Sequence, residues 1–241
     1  IMSKNLKVFL GISYLLVLIV FIYLIFTSIE LSRLNDFFYY KELQLELDNF
    51  VSADLSVNII YFFIFSIIWA ASTGFGSTTL IISGILFGKW IGTAISVLSL
   101  SIGALVLYSI ASFFFLDMVK NILEKKFGKY IQLFQKNEFY YFFIYRFIGG
   151  LGVPFFLQNL LPILFRMKKT NYFFSSFFGF IPGIFIFNSI GSGLNSYVEQ
   201  NDIFSMADFI LSPEIYLPIL MFLGLMILSL IIKKFFFDDT N

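Results

Sequence analysis

Long uncharged stretches alternate with short charged ones along this chain. Residues 8–29, VFLGISYLLVLIVFIYLIFTSI, carry no charge. A run of that length crosses a bilayer core of about 30 Å, so a first transmembrane helix is predicted within residues 1–29. Lys4 and Lys7 precede it and no small-residue cleavage site follows, so the helix is expected to stay uncleaved. Residues 30–54 hold six acids and two bases and read as a short extramembrane segment. Residues 55–116 are apolar, with Lys89 as the one charge. Residues 117–138 hold five lysines and three acids. Val119, Ile122, Leu123 and Phe127 recur there at helical spacing, which predicts an interfacial helix. Residues 139–165 are apolar apart from Arg146, and Arg166, Lys168 and Lys169 close them. A helix is predicted over 170–195. Residues 196–214 hold four acids and no base, and a last apolar helix, 215–232, leads into a tail within 215–241.

Basic segments (1–7, 117–138, 166–169, the C-terminus) belong on the cytoplasmic side and acidic ones (30–54, 196–214) outside. Region 139–165 then starts and ends on the same side. With GGLGVP at 149–154 in its middle, each arm is too short to span. The prediction is a re-entrant hairpin over 139–165 that turns at Gly149, Gly150 and Gly152, with Pro154 in the first turn of the second arm. Region 55–116 repeats the plan from the other side: a hairpin over 57–88, broken by Gly74 and Gly76, then a full crossing over 90–115. At an offset of 76, Gly74, Gly76 and Gly103 fall on Gly150, Gly152 and Gly179. The fold class is thus an all-α integral membrane protein, an inverted repeat of hairpin plus helix flanked by N- and C-terminal transmembrane helices.

Composition agrees: 59% of residues are hydrophobic and 13% charged, where soluble domains carry about 25% charged residues. The chain has no Cys and no His, which removes disulfides, thiolate sites and the commonest general base. No metal site and no cofactor is expected. An enzyme is not expected either, because acid–base or nucleophilic machinery is hard to assemble from what remains.

Arg146 is the residue that asks for chemistry. Intramembrane ionisable groups mark function by default. It stands one turn before the glycine break, opposite Gln158 and Asn159. Guanidinium binds phosphate oxygens in pairs, and a helix N-terminus attracts anions. Arg146, Asn159, Gln158, Pro154 and the N–H groups near Val153 are therefore the candidate cradle for a phosphate-bearing group. Arg146 could equally bond hairpin carbonyls and only hold the fold.

Arg146, Pro154-Phe155, Asn159, then Ser176, Gly179, Pro182 and Gly191, resemble the second half of the VTT domain of the SNARE-associated Golgi protein family and its bacterial DedA relatives. SGILFGKWIGTAISVLSLSIGALVLYSIAS, with Gly84, Gly88 and Gly103, resembles the first half. The resemblance covers roughly 57–195, within a VTT-like domain over 55–195. It implies two facing re-entrant hairpins and lipid translocation, of undecaprenyl phosphate in bacteria and of phospholipids in eukaryotes. It also implies a bacterial cytoplasmic membrane, in which the basic flanks put both termini on the cytoplasmic side. The family's acidic residues near the hairpins are missing and Ser112 replaces a frequent arginine, so proton coupling is not expected.

The expected function is a translocator or scramblase of a lipid or lipid phosphate, with membrane lipids as partners, a homo-oligomer as an option and no nucleic acid. A secondary transporter of a small anion and a non-transporting scaffold are the alternatives.

Overall fold

The computed structural model describes residues 37–72, 77–153, 155–201, 203 and 205–237. The helix expected over 8–29, together with Gly74, Gly76 and Pro154, lies outside the described residues. The chain divides into two units, residues 1–43 and 44–241. In the described part of the first, the rings of Tyr39 and Tyr40 tilt against each other at 6.0 Å.

Every described element is helical. Helix α1 spans Phe37–Ala53, α2 Leu55–Ser72 and α3 Ser77–Lys136. Next come α4 (Glu138–Phe147), a 3-10 turn (Gly149–Gly152) and α5 (Phe155–Leu164), then α6 (Lys169–Gln200), α7 (Met206–Leu211) and α8 (Pro213–Phe237). Among the described residues, three stretches are long and apolar enough to cross a membrane: Leu55–Ser72, Ser77–Phe113 and Lys169–Gln200.

Local chemistry sets the boundaries. Asp54 accepts the Val57 N–H at 3.1 Å, satisfying one of the free donors that open α2. Gly88 interrupts α3 at φ 70°, ψ 174°, a conformation that glycine enters without a Cβ clash. The break falls where the predicted hairpin 57–88 ends. α2 is longer than the half-length arm expected over 57–71: at 18 residues it is about 27 Å long. The second hairpin has two arms of 10 residues each, α4 and α5, on either side of the 3-10 turn, in place of the single helix that its hydropathy alone would permit.

One expectation fails. No separate interfacial helix begins at residue 117, because α3 runs unbroken from the Gly88 kink to Lys136. A change from apolar to charged side chains breaks no backbone hydrogen bond. Between Phe113 and Lys136 the sequence has no proline and one glycine, Gly128, so nothing stops the helix.

The part of α3 after Gly88 and helix α6 form the central pair, and each hairpin packs against them. Tyr108, Ala111, Phe142, Ile163, Met167 and Tyr172 share one cluster with Ala104. Ala70, Leu80, Val97, Leu100, Phe180 and Ile184 share another. Close approach rests on glycine. A Cβ on Gly103 would lie 2.6 Å from the Ala70 Cβ and 2.8 Å from the Ile67 carbonyl oxygen. One on Gly179 would lie 2.5 Å from the Arg146 Cβ and 3.0 Å from the Phe143 carbonyl oxygen. Each partner in the second set stands 76 residues after its counterpart in the first. The same offset relates two hydrogen-bonded pairs: Ser96 Oγ donates to Ser83 Oγ at 3.0 Å, and Tyr172 OH donates to Asn159 Oδ1 at 2.8 Å. It relates the Ser99 and Ser175 hydroxyls as well, which donate to the Ser96 and Tyr172 carbonyls.

Candidate functional site: a buried arginine between the arms of the second hairpin

Glu138, Phe142 and Arg146 are the buried residues of α4. Their four-residue spacing puts them on one face of the helix. After Arg146 the chain reverses at Gly149 and Gly150, whose φ values are 75° and 70°. A Cβ on Gly150 would collide with the Gln158 side chain, so glycine is needed there twice over, for the turn and for the amide that fills the space beside it. Gly152 closes the 3-10 turn.

α5 then presents Gln158 and Asn159 to the arginine. Arg146 Nη1 donates to Gln158 Oε1 at 2.9 Å. Nη2 donates to Asn159 Oδ1 and, at 3.1 Å, to the Tyr172 hydroxyl. Gln158 is held in turn, donating from Nε2 to the Val153 carbonyl at 2.6 Å. The sequence thus correctly pairs Arg146 with Gln158 and Asn159. Val153 departs from expectation: its N–H is not free, because it donates to the Gly150 carbonyl at 3.1 Å within the turn. Its carbonyl is what serves the site.

The guanidinium is enclosed by rings as well as by amides. Its Cζ lies 4.6 Å from the Phe180 ring centroid, 4.8 Å from Phe142 and 5.5 Å from Phe155, distances at which a cation gains from an aromatic face. Arg146 is 3% exposed and Asn159 fully buried. Among the described residues no carboxylate pairs with Arg146. The positive charge is held by neutral acceptors alone, and donors outnumber acceptors. Arg146 Nε and Asn159 Nδ2 are both buried without a hydrogen-bond partner. Unpaired buried donors are costly, so the site favours an acceptor.

Two residues that the sequence analysis did not single out complete the arrangement. Tyr172, on the first turn of α6, is fully buried and stacks on Tyr108 at 4.5 Å. Tyr108 OH donates to the Met167 carbonyl at 2.6 Å, fixing the loop between the hairpin and α6. Glu138 corrects the expectation that no acid stands at a hairpin. It is the first residue of the helix that carries Arg146 and is 5% exposed. Its Oε1 accepts from Asn171 Nδ2 at 2.6 Å and from the Lys168 N–H at 3.2 Å. The signal for both was the four-residue stripe back from Arg146 and the polar pair Asn171-Tyr172 opening an aromatic helix.

The remaining motif residues serve packing. Gly179 seats α6 on α4 beside Arg146, and Gly103 seats α3 on α2. A Cβ on Gly84 would meet the Asn188 backbone, and one on Gly191 would stand 3.1 Å from the Gly84 Cα, so the first hairpin crosses α6 backbone to backbone. Gly88 makes the kink. Pro182 lies inside α6, where it has no N–H to offer and shapes the backbone only.

Residues 75–193 match the VTT domain. The chain carries a VTT domain there. The matched span takes in the second arm of the first hairpin, the central helix pair and the whole arginine site. No solved structure matches the chain. With its long apolar helices, the VTT domain makes this an integral membrane protein, consistent with a membrane transporter or scramblase in general.

Proposed function

We propose that this VTT-domain protein moves lipids that carry an anionic phosphate head across the membrane, with the head group passing at Arg146. The observation that carries the reading is the surplus of buried donors. Arg146 Nε and Asn159 Nδ2 lack acceptors, the charge has no carboxylate partner among the described residues, and a phosphate oxygen supplies both a negative charge and lone pairs. Undecaprenyl phosphate and anionic phospholipids share that chemistry. The acyl or prenyl chains stay in the bilayer while the head is held between the arms.

The contacts related by 76 residues support reading the two halves as an inverted repeat of re-entrant hairpins. The positive-inside argument supports cytoplasmic termini, and the family resemblance supports a bacterial inner membrane. Glu138 stands at the foot of the hairpin and accepts from neutral N–H groups, and among the described residues no acid stands beside the turn, so the movement is read as uncoupled from protons.

The test is lipid translocation in proteoliposomes of defined composition. Arg146→Ala is expected to abolish movement of an anionic phospholipid while the protein still reconstitutes. Unchanged movement overturns the reading. Uptake of inorganic phosphate, with no lipid movement, would instead favour a small-anion transporter.

A further inference from the structure

We propose that the first hairpin holds a site for a small monovalent cation of the sodium kind, formed by Ser83, Ser96, Asn188 and the Gly92 carbonyl. Ser83 and Ser96 occupy the places that Asn159 and Tyr172 occupy in the second hairpin, and they form the same hydrogen bond. Where Arg146 stands in one half, Ala70 stands in the other, 76 positions earlier. The first cluster therefore has the frame of the arginine site without its cation.

Its hydrogen-bond balance is also the reverse. Ser96 spends its hydroxyl proton on Ser83, and Ser83 spends its own on the Gly92 carbonyl at 3.2 Å. Asn188 donates from Nδ2 to the Ile184 carbonyl of its own helix at 3.0 Å. Its Oδ1 points away, is buried and has no partner. Ser83, Ser96 and Asn188 are all fully buried. A Cβ on Gly92 would lie 2.5 Å from Asn188 Oδ1, 2.8 Å from the Ser83 carbonyl oxygen and 3.0 Å from Ser83 Oγ, so these oxygens converge beside one glycine. The arginine site is left with donors to satisfy, and this one with lone pairs.

The ligand set decides the class of ion. All the oxygens are neutral, and among the described residues no cluster of three His, Cys, Asp or Glu exists. Divalent ions are held mainly through carboxylates. Side-chain oxygens and carbonyls beside a helix break are how membrane transporters hold sodium, and Gly88 breaks α3 between Ser83 and Gly92. The backbones of the two elements meet at Gly84 and Gly191, and such close approach suits the smaller sodium ion better than potassium. Such a site gives a protein with no acid beside its hairpin tips an ion to couple to.

The test is thermal unfolding of the full chain in detergent, titrated with sodium, potassium or choline chloride at fixed ionic strength. The melting temperature is expected to rise and saturate with sodium alone. Ser83→Ala is expected to shift the sodium midpoint upward by about tenfold, the scale of one lost ligand. Asn188→Asp, which keeps the shape and adds a carboxylate, is expected to lower the midpoint. Equal responses to all three salts would overturn the proposal, as they would for a bound water. So would a sodium response that neither variant moves. If Ser83→Ala does not fold, the wild-type salt comparison and Asn188→Asp decide alone.

Discussion

Arg146 meets its partners through geometry that lysine cannot copy. One planar fork reaches Gln158 with Nη1 and both Asn159 and Tyr172 with Nη2. Arg146→Lys keeps the charge but offers a single point of donation. It is expected to lose most of the lipid movement, at least tenfold for each charge-assisted bond that goes unmade, as read by translocation rates in proteoliposomes. Tyr172→Phe removes the hydroxyl that accepts from Arg146 and donates to Asn159. It is expected to destabilise the protein by about 1–3 kcal/mol, measured by denaturant or thermal unfolding in detergent. The sequence made Arg146, Gln158 and Asn159 legible because a hairpin folds opposite residues together at a countable distance from its turn. Tyr172 and Glu138 were not legible on that count. Tyr172 reaches the site through the packing of α6 on α4, and Glu138, about two turns before Arg146 on α4, is tied to Lys168 and Asn171 by the same packing; hairpin arithmetic carries no information about it.

At the scale of elements, glycine sets how closely helices approach, and the two halves allow a controlled comparison. Gly179→Val drives a side chain into Arg146 and the α4 backbone, and Gly103→Val drives one into Ala70 and the α2 backbone. Both are expected to destabilise by about 1–3 kcal/mol through overpacking. Gly179→Val is also expected to stop lipid movement, because it displaces the arginine itself. Gly103→Val should lower activity less than it lowers stability, read by running both assays on each variant. The break at Gly149–Gly152 was legible because glycine enters positive φ freely, as Gly149 and Gly150 do; the kink at Gly88 was not, since the sequence presents that glycine only as a packing position. The end of α3 was not, since charge patterning marks where a helix leaves the apolar layer rather than where its hydrogen bonds stop. At about 1.5 Å per residue, the stretch from the Gly88 kink to Lys136 is about 70 Å long. That is more than twice a hydrocarbon core, so its lysine-rich end projects beyond one.

For the whole molecule, the proposed two-sided, re-entrant arrangement makes a topological prediction. Cysteines introduced singly at Lys136 and Lys168, in a chain that has none of its own, are expected to be labelled from the same side of the membrane. Labelling from opposite sides would turn residues 139–165 into a crossing and remove the re-entrant hairpin. Gln135 Nε2 already donates to the Phe165 carbonyl at 3.0 Å, which keeps the two positions at one end of the hairpin. The crossing of Gly84 and Gly191 has a consequence of its own. Two main chains in direct contact leave no continuous file of water between them at that point, and protons leak through membranes along such files. On the proposed reading, the lipid head passes at the arginine hairpin while this contact stays shut, so the electrical potential across the bilayer is not short-circuited there.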